Sequence, residues 1–506
     1  MIAEIRSGAV VGIDGYGVSV EIDIARGLPT FTIVGMPDAA VRESRERVGA
    51  ALRNNGFRIP GSRITVNLAP ADIRKEGSSF DLPIAVGILH ASGQAKFSLP
   101  DDVLLTGELA LDGRLKPVRG VLPVICHAKE TGYRAVVIPE GNGAEASVAG
   151  GIEIVPCADM MGALAYLGGA SPPLLPDPPL EIIARPDGLD FSQVTGHQSA
   201  IRALQIASAG GHHTMMVGPP GSGKTMLARR FATVLPPLDG DETLEVAKIL
   251  SVTGRLTSKV PHSRRPFRAP HHSASDAGLV GGGRHASPGE ITLAHGGVLF
   301  LDELTEFRRN VLETLRQPLE EGSIVIARAG AVCRYPARFQ LLAAMNPCPC
   351  GFRGSPSQSC SCTPMAVKRY LAKISGPLLD RISIHIPVRA VEPERFESDD
   401  EPRSSSEEIL REVLRAVGIQ KDRYNGNGGY RRNADLPLYA LDSFCPMEDE
   451  AWNLLDRAQR ALRFSARSRR NIIQVARTIA DLEAVDKIGP AHLAEAVQYR
   501  VPPGLL

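Results

Sequence analysis

Residues 214–235 of this 506-residue chain read TMMVGPPGSGKTMLARRFATVL. A short apolar strand leads into a glycine-rich loop, and an amphipathic helix comes after it. The loop matches G-x-x-x-x-G-K-T in the strand–loop–helix setting in which that pattern binds phosphate. We expect backbone N–H groups to surround the phosphates, Lys224 to reach the outer phosphates and Thr225 to ligate Mg²⁺. The predicted nucleotide-binding residues of the loop are Gly218, Pro219, Pro220, Gly221, Ser222, Gly223, Lys224 and Thr225.

Two later apolar strands end in residues that suit ATP hydrolysis. The run GGVLFLDEL at 296–304 predicts a buried strand ending at Asp302 and Glu303, and FQLLAAMN at 339–346 predicts one ending at Asn346. The carboxyl ends of parallel strands share one edge of a sheet, so these side chains should meet the phosphate loop. Asp302 would hold Mg²⁺ through water, Glu303 would orient or deprotonate the attacking water, and Asn346 would hydrogen-bond that water or the γ-phosphate. The alternative, an ordinary acidic strand end, is disfavoured by the preceding phosphate loop.

These motifs resemble those of AAA+ ATPases, with Walker A at 218–225, Walker B at 298–303 and the sensor-1 residue at Asn346. The segment SGPLLDRI at 375–382 resembles the arginine-finger segment of magnesium-chelatase ATPase subunits and minichromosome-maintenance helicases. The resemblance nominates Arg381 to reach a neighbour's γ-phosphate, with an ordinary surface arginine as the alternative. It implies a ring, most often a hexamer.

A second arginine is nominated from the lid. The segment SARSRR at 465–470 matches the sensor-2 region and points to Arg467. Arg463, Arg469 and Arg470 lie close enough in sequence to be confused with it. In the AAA+ pattern, Glu303, Asn346, Arg381 and Arg467 would together form the catalytic set.

Longer segments resemble one family over almost the whole chain. They are FRAPHHSASDAGLVGGG, PGEITLAHGGVLFLDELTEF, LRQPLEEG, NPCPCGF and ARTIADL, and they are similar to the YifB/ComM family of magnesium-chelatase-like ATPases. The resemblance implies a hexameric motor that uses ATP and Mg²⁺ on single-stranded or branched DNA and drives branch migration when incoming DNA recombines. A chelatase-type ATPase that remodels a protein partner is the alternative.

The N-terminal region resembles part of Lon protease. KEGSSFD at 75–81 aligns Ser79 with the nucleophilic serine, and GELALDGRLKPVRGVLP at 107–123 resembles the segment that supplies the catalytic lysine. Leu122 stands at that lysine's position and cannot accept the hydroxyl proton, while Lys116 is out of register. We therefore expect a Lon-like α+β domain without peptidase activity, which disfavours an ATP-dependent peptidase.

Two arginine-containing segments are candidates for DNA contact. Residues 255–285 hold six basic residues against one acid, and Arg264, Arg265 and Arg268 are the candidates there. SIVIARAGAVCRYPAR at 323–338 predicts a β-hairpin around Ala329-Gly330 whose Arg328 and Arg334 would follow a phosphate backbone. Both segments resemble pore insertions of the chelatase clade, and solvated loops are the alternative.

Four of the eight cysteines are spaced as C-x-C-x9-C-x-C. These are Cys348, Cys350, Cys360 and Cys362. Four soft ligands on a short loop suit one tetrahedral ion, with zinc as the first choice. Reduced structural cysteines or a redox pair remain alternatives, because the common knuckle spacing is C-x-x-C.

Composition and linkers divide the chain. We predict a Lon-like domain at 1–168, a Pro-rich linker at 169–187, an α/β AAA+ P-loop core at 188–395 and a helical lid at 396–506. With 57 basic and 56 acidic residues, any DNA must be held by local patches. There is no secretion-type leader and no apolar run of the roughly 18 residues that a membrane helix needs, so we expect a cytoplasmic protein.

Overall fold

The computed structural model describes residues 2–95, 97, 99–173, 188–256, 264–283, 286–328, 331–355, 358–390, 404–426 and 429–500. Most of the predicted linker 169–187, and the predicted boundary between residues 395 and 396, lie outside these ranges. The chain forms two compact units. Unit 1 comprises Met1–Ile183, Asp239–His262 and Ala327–Tyr335, and unit 2 comprises Ala184–Leu238, Ser263–Ile326 and Pro336–Leu506. The boundaries predicted from the sequence assign no part of the central region to unit 1.

The N-terminal region has an α+β organisation, as predicted. Its strands are β1 Ile2–Val11, β2 Asp14–Ala25, β3 Thr30–Val34, β4 Arg63–Ala69, β5 Val103–Leu105, β6 Glu108–Leu109, β7 Leu115–Lys116, β8 Ala135–Pro139 and β9 Glu153–Cys157. Its helices are α1 Ala39–Asn54, α2 Asp81–Ala91, α3 Val121–Glu130, α4 Gly143–Ala146 and α5 Met160–Leu167. The larger sheet has the order β1-β2-β4-β3, with only β3 and β4 parallel.

Helix α2 is the centre of the core of unit 1. Ten of its eleven residues are buried because it packs on β1, β2 and α1. Gly87 allows the close approach to β2, since a Cβ there would collide with Ile22. Each fully buried aliphatic side chain contributes about 1.5–3 kcal/mol, so this apolar helix anchors the unit.

The central region supplies a five-stranded sheet and two two-stranded sheets. Its strands are β10 Thr214–Val217, β11 Phe267–Arg268, β12 Gly281–Gly282, β13 Ser287–Pro288, β14 Val298–Leu301, β15 Ser323–Arg328, β16 Ala331–Pro336, β17 Gln340–Met345 and β18 Ile384–Pro387. Its helices are α6 Gln198–Gly210, α7 Lys224–Phe231, α8 Gly240–Val252, α9 Asp276–Val280, α10 Glu290–Leu293, α11 Arg309–Thr314, α12 Arg316–Glu321, α13 Pro364–Leu371 and α14 Gly376–Leu379. Strands β15 and β16 pair as the predicted hairpin.

Unit 2 is built on a five-stranded parallel sheet of order β11-β14-β17-β10-β18. The four residues of β14 are all buried, as are five of the six in β17, which is typical of a parallel sheet covered on both faces. The predicted α/β core is therefore confirmed. Helix α8 belongs to unit 1, where it packs on α3.

The C-terminal region is helical, as predicted. Its helices are α15 Ser406–Tyr424, α16 Leu441–Phe444, α17 Asp449–Leu462, α18 Ala466–Leu482 and α19 Pro490–Gln498. A buried ionic network joins α15 to α18: Asp481 of α18 accepts hydrogen bonds from Arg423 of α15 and from Asn433 and Arg477. A buried carboxylate needs this many donors to offset its lost hydration, so the network fixes α15 against α18. Across the described ranges, no helix combines the length and apolarity needed to span a bilayer.

Candidate ATP-hydrolysis site

Three neighbouring strands deliver the predicted site residues to one edge of the parallel sheet. Strand β17 lies between β10 and β14, with Thr214 opposite Leu342 and Val298 opposite Gln340. All three strands run the same way, so the phosphate loop, Asp302 and Asn346 follow their carboxyl ends side by side. The three segments, distant in sequence, therefore form one site.

The glycines of the phosphate loop are required by its backbone conformation or by close packing. Gly221 and Gly223 have φ values of +75° and +84°, which glycine adopts without strain. At Gly218 a Cβ would collide with the carbonyl oxygen of Val388 and would lie 2.8 Å from Ser222 Oγ. The glycines thus leave a cradle in which backbone amides approach a ligand closely. Such a cradle fits the phosphates of a nucleotide.

Lys224 begins helix α7 and its ammonium lies inside the loop. Nζ donates to the carbonyl oxygens of Gly218 and Pro219, each at 2.7 Å, and reaches Asn346 Oδ1 at 3.3 Å. Burial lowers the pKa of Lys224 from its usual value. These partners are neutral, so a phosphate anion would compensate the buried ammonium better than they do. Lys224 Nζ and Asn346 Oδ1 are therefore adjacent.

Thr225 and Asp302, the residues predicted to bind Mg²⁺, contact each other. The Thr225 hydroxyl donates to Asp302 Oδ2 at 2.7 Å, and the backbone N–H of Glu303 donates to Asp302 Oδ1 at 2.9 Å. A hydroxyl and a carboxylate are oxygen ligands of the kind that Mg²⁺ takes beside phosphate oxygens. The donor set therefore fits Mg²⁺.

Glu303 has a left-handed backbone, with φ +51° and ψ +48°. A non-glycine residue held there costs about 1–3 kcal/mol, so the surrounding structure must enforce the conformation. Its Oε2 lies 3.2 Å from Nδ1 of His272. Sequence reasoning missed His272, although it stands in the segment FRAPHHSASDAG, because no spacing rule links it to Glu303.

Arg381 and Arg467 meet at one carboxylate that the sequence analysis did not single out. Both guanidinium groups contact Glu320 Oε1, the Arg467 contact at 2.5 Å. The neighbouring arginines have other settings: Arg469 pairs with Asp456 at 2.8 Å and lies over the Trp452 ring, and Arg463 ends helix α17. The shared carboxylate favours Arg467 over these two as the partner of Arg381.

The four clustered cysteines come together as one potential ligand set. Their Sγ atoms all lie within 4.8 Å of one another. A hydrogen bond from the backbone N–H of Phe352 lowers the pKa of Cys350 to about 6. Four convergent thiols in a loop fit a tetrahedral ion such as Zn²⁺ with no open position. The remaining cysteines, Cys126, Cys157, Cys333 and Cys445, are buried.

The candidate DNA-contacting arginines differ in their surroundings. Arg268 forms a two-pronged pair with Glu290 at 2.6 and 2.7 Å, and Arg265 donates to the carbonyl oxygens of Pro236 and Gly296 at 2.7 and 2.6 Å. Both guanidinium groups thus hold the protein together, which disfavours them as DNA contacts. Arg264 and Arg334 are exposed, and the side chain of Arg328 lies outside the described part of the chain.

The region that resembles Lon protease places leucine where a base would be needed. Leu122 is fully buried in α3, in a cluster with Cys126 and Ala247. Lys116 lies 3.9 Å from Glu108, which also accepts a hydrogen bond from the Ser78 hydroxyl. Lys116 is therefore engaged with an acidic partner.

The parallel sheet, the phosphate loop, the carboxylates at the sheet edge and the helical C-terminal region define a magnesium-chelatase-like AAA+ protein. Three family models match: "Magnesium chelatase, subunit ChlI" over residues 190–396, "Subunit ChlI of Mg-chelatase" over 20–142 and "Magnesium chelatase, subunit ChlI C-terminal" over 403–500. The chain belongs to the YifB/ComM family of magnesium-chelatase-like ATPases.

Several relatives match this chain over nearly its whole length, and one matches only a part of it. The uncharacterized protein YifB of Escherichia coli is 40% identical over 503 residues, 99% of this chain and 97% of that protein. The competence protein ComM of Haemophilus influenzae is 41% identical over 510 residues, 100% of this chain and 98% of that protein. Lon protease 2 of Bacillus subtilis is 36% identical over 113 residues, 22% of this chain and 20% of the protease. The predicted family and fold class are thereby confirmed, and the family implies ATP and Mg²⁺.

Proposed function

We propose that the protein is an ATP-driven DNA translocase that promotes branch migration of recombination intermediates, as in natural transformation. ATP hydrolysis is proposed because Lys224, the Thr225–Asp302 pair, Glu303 and Asn346 converge at one edge of the sheet. Support for the DNA substrate comes from the near full-length similarity to a competence protein.

Each residue of the site has a role that its position supports. The loop 218–225 binds the phosphates, with Lys224 on the outer ones, and Thr225 with Asp302 would hold Mg²⁺, which neutralises charge on the phosphate oxygens when bound. Glu303 accepts the proton of the attacking water or orients it. Asn346 Oδ1, now beside Lys224 Nζ, fixes the position of the lysine or of the water.

We propose a homo-hexameric ring in which Arg381 acts on the nucleotide of a neighbouring subunit. The Glu320-bound pair of Arg381 and Arg467 places two cations together, as a site for a phosphate requires. Mixing Arg381→Ala subunits with wild-type subunits should inactivate the neighbours, so that activity falls faster than the wild-type fraction. Activity that simply adds would contradict action between subunits.

DNA contact is proposed for the exposed Arg264 and for the hairpin residue Arg334. The decisive experiment is steady-state ATPase activity without DNA and with single-stranded, duplex and four-way-junction DNA, each at two salt concentrations. We expect stimulation that weakens with salt, because phosphate contacts release counterions. Arg264→Gln and Arg334→Gln, tested singly, should reduce stimulation and leave DNA-free turnover intact.

The second candidate function is remodelling of a protein partner by a chelatase-type ATPase, which the three family models favour. Robust ATPase activity that no DNA changes, at either salt concentration, would support this function instead. Casein cleavage would reveal the peptidase activity that the buried Leu122 argues against.

We also propose that Cys348, Cys350, Cys360 and Cys362 hold one structural zinc ion, on the strength of their converging Sγ atoms. Metal analysis of purified protein should find about one equivalent of zinc per chain, and Cys360→Ser should lose it. Cys445→Ser, which changes a buried cysteine outside the cluster, should retain it. Absence of metal with a full count of reactive thiols would leave reduced structural cysteines as the explanation.

A further inference from the structure

Two arginines contact a single carboxylate on unit 2, and a third arginine lies near it. Glu320, on helix α12, contacts both Arg381 and Arg467. Arg470 of α18 lies near enough for electrostatic interaction with all three. Burial lowers the pKa of Arg381 and of Arg470, and the neighbouring Arg467 lowers both further. This cluster, defined as Glu320 with the three arginines, has more positive charge than its one acid compensates.

The arginines are also incompletely hydrogen-bonded. The side chain of Arg381 is 7% exposed, and one of its NH groups donates to the carbonyl oxygen of Pro377 at 2.5 Å. The Nε atoms of Arg381 and Arg470 are buried, and neither has a hydrogen-bond partner among the described residues. A buried donor without an acceptor is costly, so these atoms are suited to an incoming anion with several acceptor oxygens.

Glu320, unlike the buried Arg381, is accessible to solvent. Its side chain is 45% exposed, and it lies on a helix of six residues that ends at the next position. Its neighbour Glu321 carries the same charge but accepts a hydrogen bond from Gln317 at 3.0 Å. A half-exposed carboxylate on a helix end is able to rotate away from the arginines into water at modest cost.

We propose that Glu320 is an internal competitor for the arginine cluster: in the free chain its carboxylate occupies the place that the γ-phosphate of a neighbouring subunit's nucleotide takes in the assembled ring. This inference rests on the proposed function, since it requires Arg381 to act between subunits. A phosphate has more charge and more acceptor oxygens than one carboxylate, so nucleotide at the interface displaces Glu320. Glu320 thus keeps the arginines paired in the free chain, and assembly of the ring depends on a bound triphosphate.

The test is the assembly of the full chain with ATP, in the Glu303→Gln background so that ATP is held without hydrolysis. Sedimentation velocity over a range of protein concentrations gives the midpoint of ring formation. Glu320→Gln should shift this midpoint about fivefold toward lower protein concentration, because the competing ion pair is lost. Glu321→Gln removes the same charge one residue away and should leave the midpoint unchanged.

Three further variants make the result decisive. Arg381→Ala should assemble poorly, and adding Glu320→Gln to it should rescue nothing. Glu320→Asp withdraws the carboxylate by one methylene and should shift the midpoint in the same direction as Glu320→Gln, which provides the test if the glutamine variant does not fold. If Glu320→Gln weakens assembly as Arg381→Ala does, or leaves it unchanged, Glu320 is not a competitor, although the action of Arg381 between subunits is not contradicted. If Arg381→Ala assembles like its parent, the contact between subunits is wrong and the competitor role falls with it.

Discussion

Gly351, in the loop that carries the cysteines, lies directly against Pro220 of the phosphate loop. A Cβ at position 351 would be 2.5 Å from Pro220 Cδ and 3.8 Å from Asn346 Cγ. The cysteine loop therefore packs closely against the phosphate loop at this position. A change of shape in the cysteine loop should therefore reach the phosphate loop through Gly351 and Pro220.

This contact predicts that Gly351→Ala weakens nucleotide binding. The added methyl group must displace Pro220, and overpacking of this kind costs about 1–3 kcal/mol, which corresponds to about fivefold or more in affinity. Titration with a fluorescent ATP analogue measures the change. Gly354→Ala is the matched control, because Gly354 also has positive φ but a Cβ added there would meet no described atom within 4 Å. Equal losses in both variants would assign the effect to backbone strain.

The roles of Lys224 and Glu303 predict different defects. Lys224→Ala should lose nucleotide binding, because the ammonium inside the cradle is removed. Glu303→Gln leaves the cradle intact, so it should bind ATP normally and hydrolyse it at least about 100-fold more slowly. Equilibrium binding and single-turnover hydrolysis separate the two effects. Loss of binding in both variants would contradict this division of roles.

His272 is expected to position Glu303. With the 3.2 Å contact removed in His272→Ala, the carboxylate loses a partner that fixes its orientation, and kcat should fall about tenfold while the dissociation constant for ATP stays the same. His272→Asn retains a donor near the position of Nδ1 and should recover most of the activity. An unchanged kcat in the alanine variant, or no recovery with asparagine, would show that the contact has no positioning role.

The centre of the fold was predictable because its signals are local. The glycines of the phosphate loop, the apolar run 298–301 and the run 340–345 each specify a strand or the turn at its end, and parallel pairing then places those ends together. The spacing of the four cysteines likewise pointed to a loop on which they converge. These features depend on residues close together in sequence.

The rest of the site depends on contacts that sequence order hides. Glu320 stands in the run LRQPLEEG, yet its partners Arg381 and Arg467 are 61 and 147 residues further along the chain. Arg265 and Arg268 appear as unpaired charge in sequence because their acceptors, such as Glu290, are brought to them only by the fold. A list of charges cannot distinguish an arginine that binds phosphate from one that ties two loops together.

The stability of unit 1 should depend on pH through the buried carboxyl group of Glu145. Burial raises the pKa of Glu145 to about 7, although the carboxylate accepts hydrogen bonds from Asn142 and from the backbone N–H groups of Val121 and Leu122. The folded chain therefore holds a proton that the unfolded chain, with a pKa near 4.5, releases. The stabilisation is complete below pH 4.5 and is lost as pH rises through 7, a change of about 3 kcal/mol.

Glu145→Gln should lack this pH dependence, because its amide stays neutral. Hydrogen exchange of the α3 amides isolates unit 1, and comparison with the variant at the same pH cancels the intrinsic exchange rate. Between about pH 5 and pH 8 wild-type α3 should lose protection relative to Glu145→Gln. Glu140→Gln, at an exposed position nearby, should follow wild type. If wild type and Glu145→Gln change in parallel with pH, Glu145 is ionised in the folded chain and its burial is compensated by the amides at the start of α3.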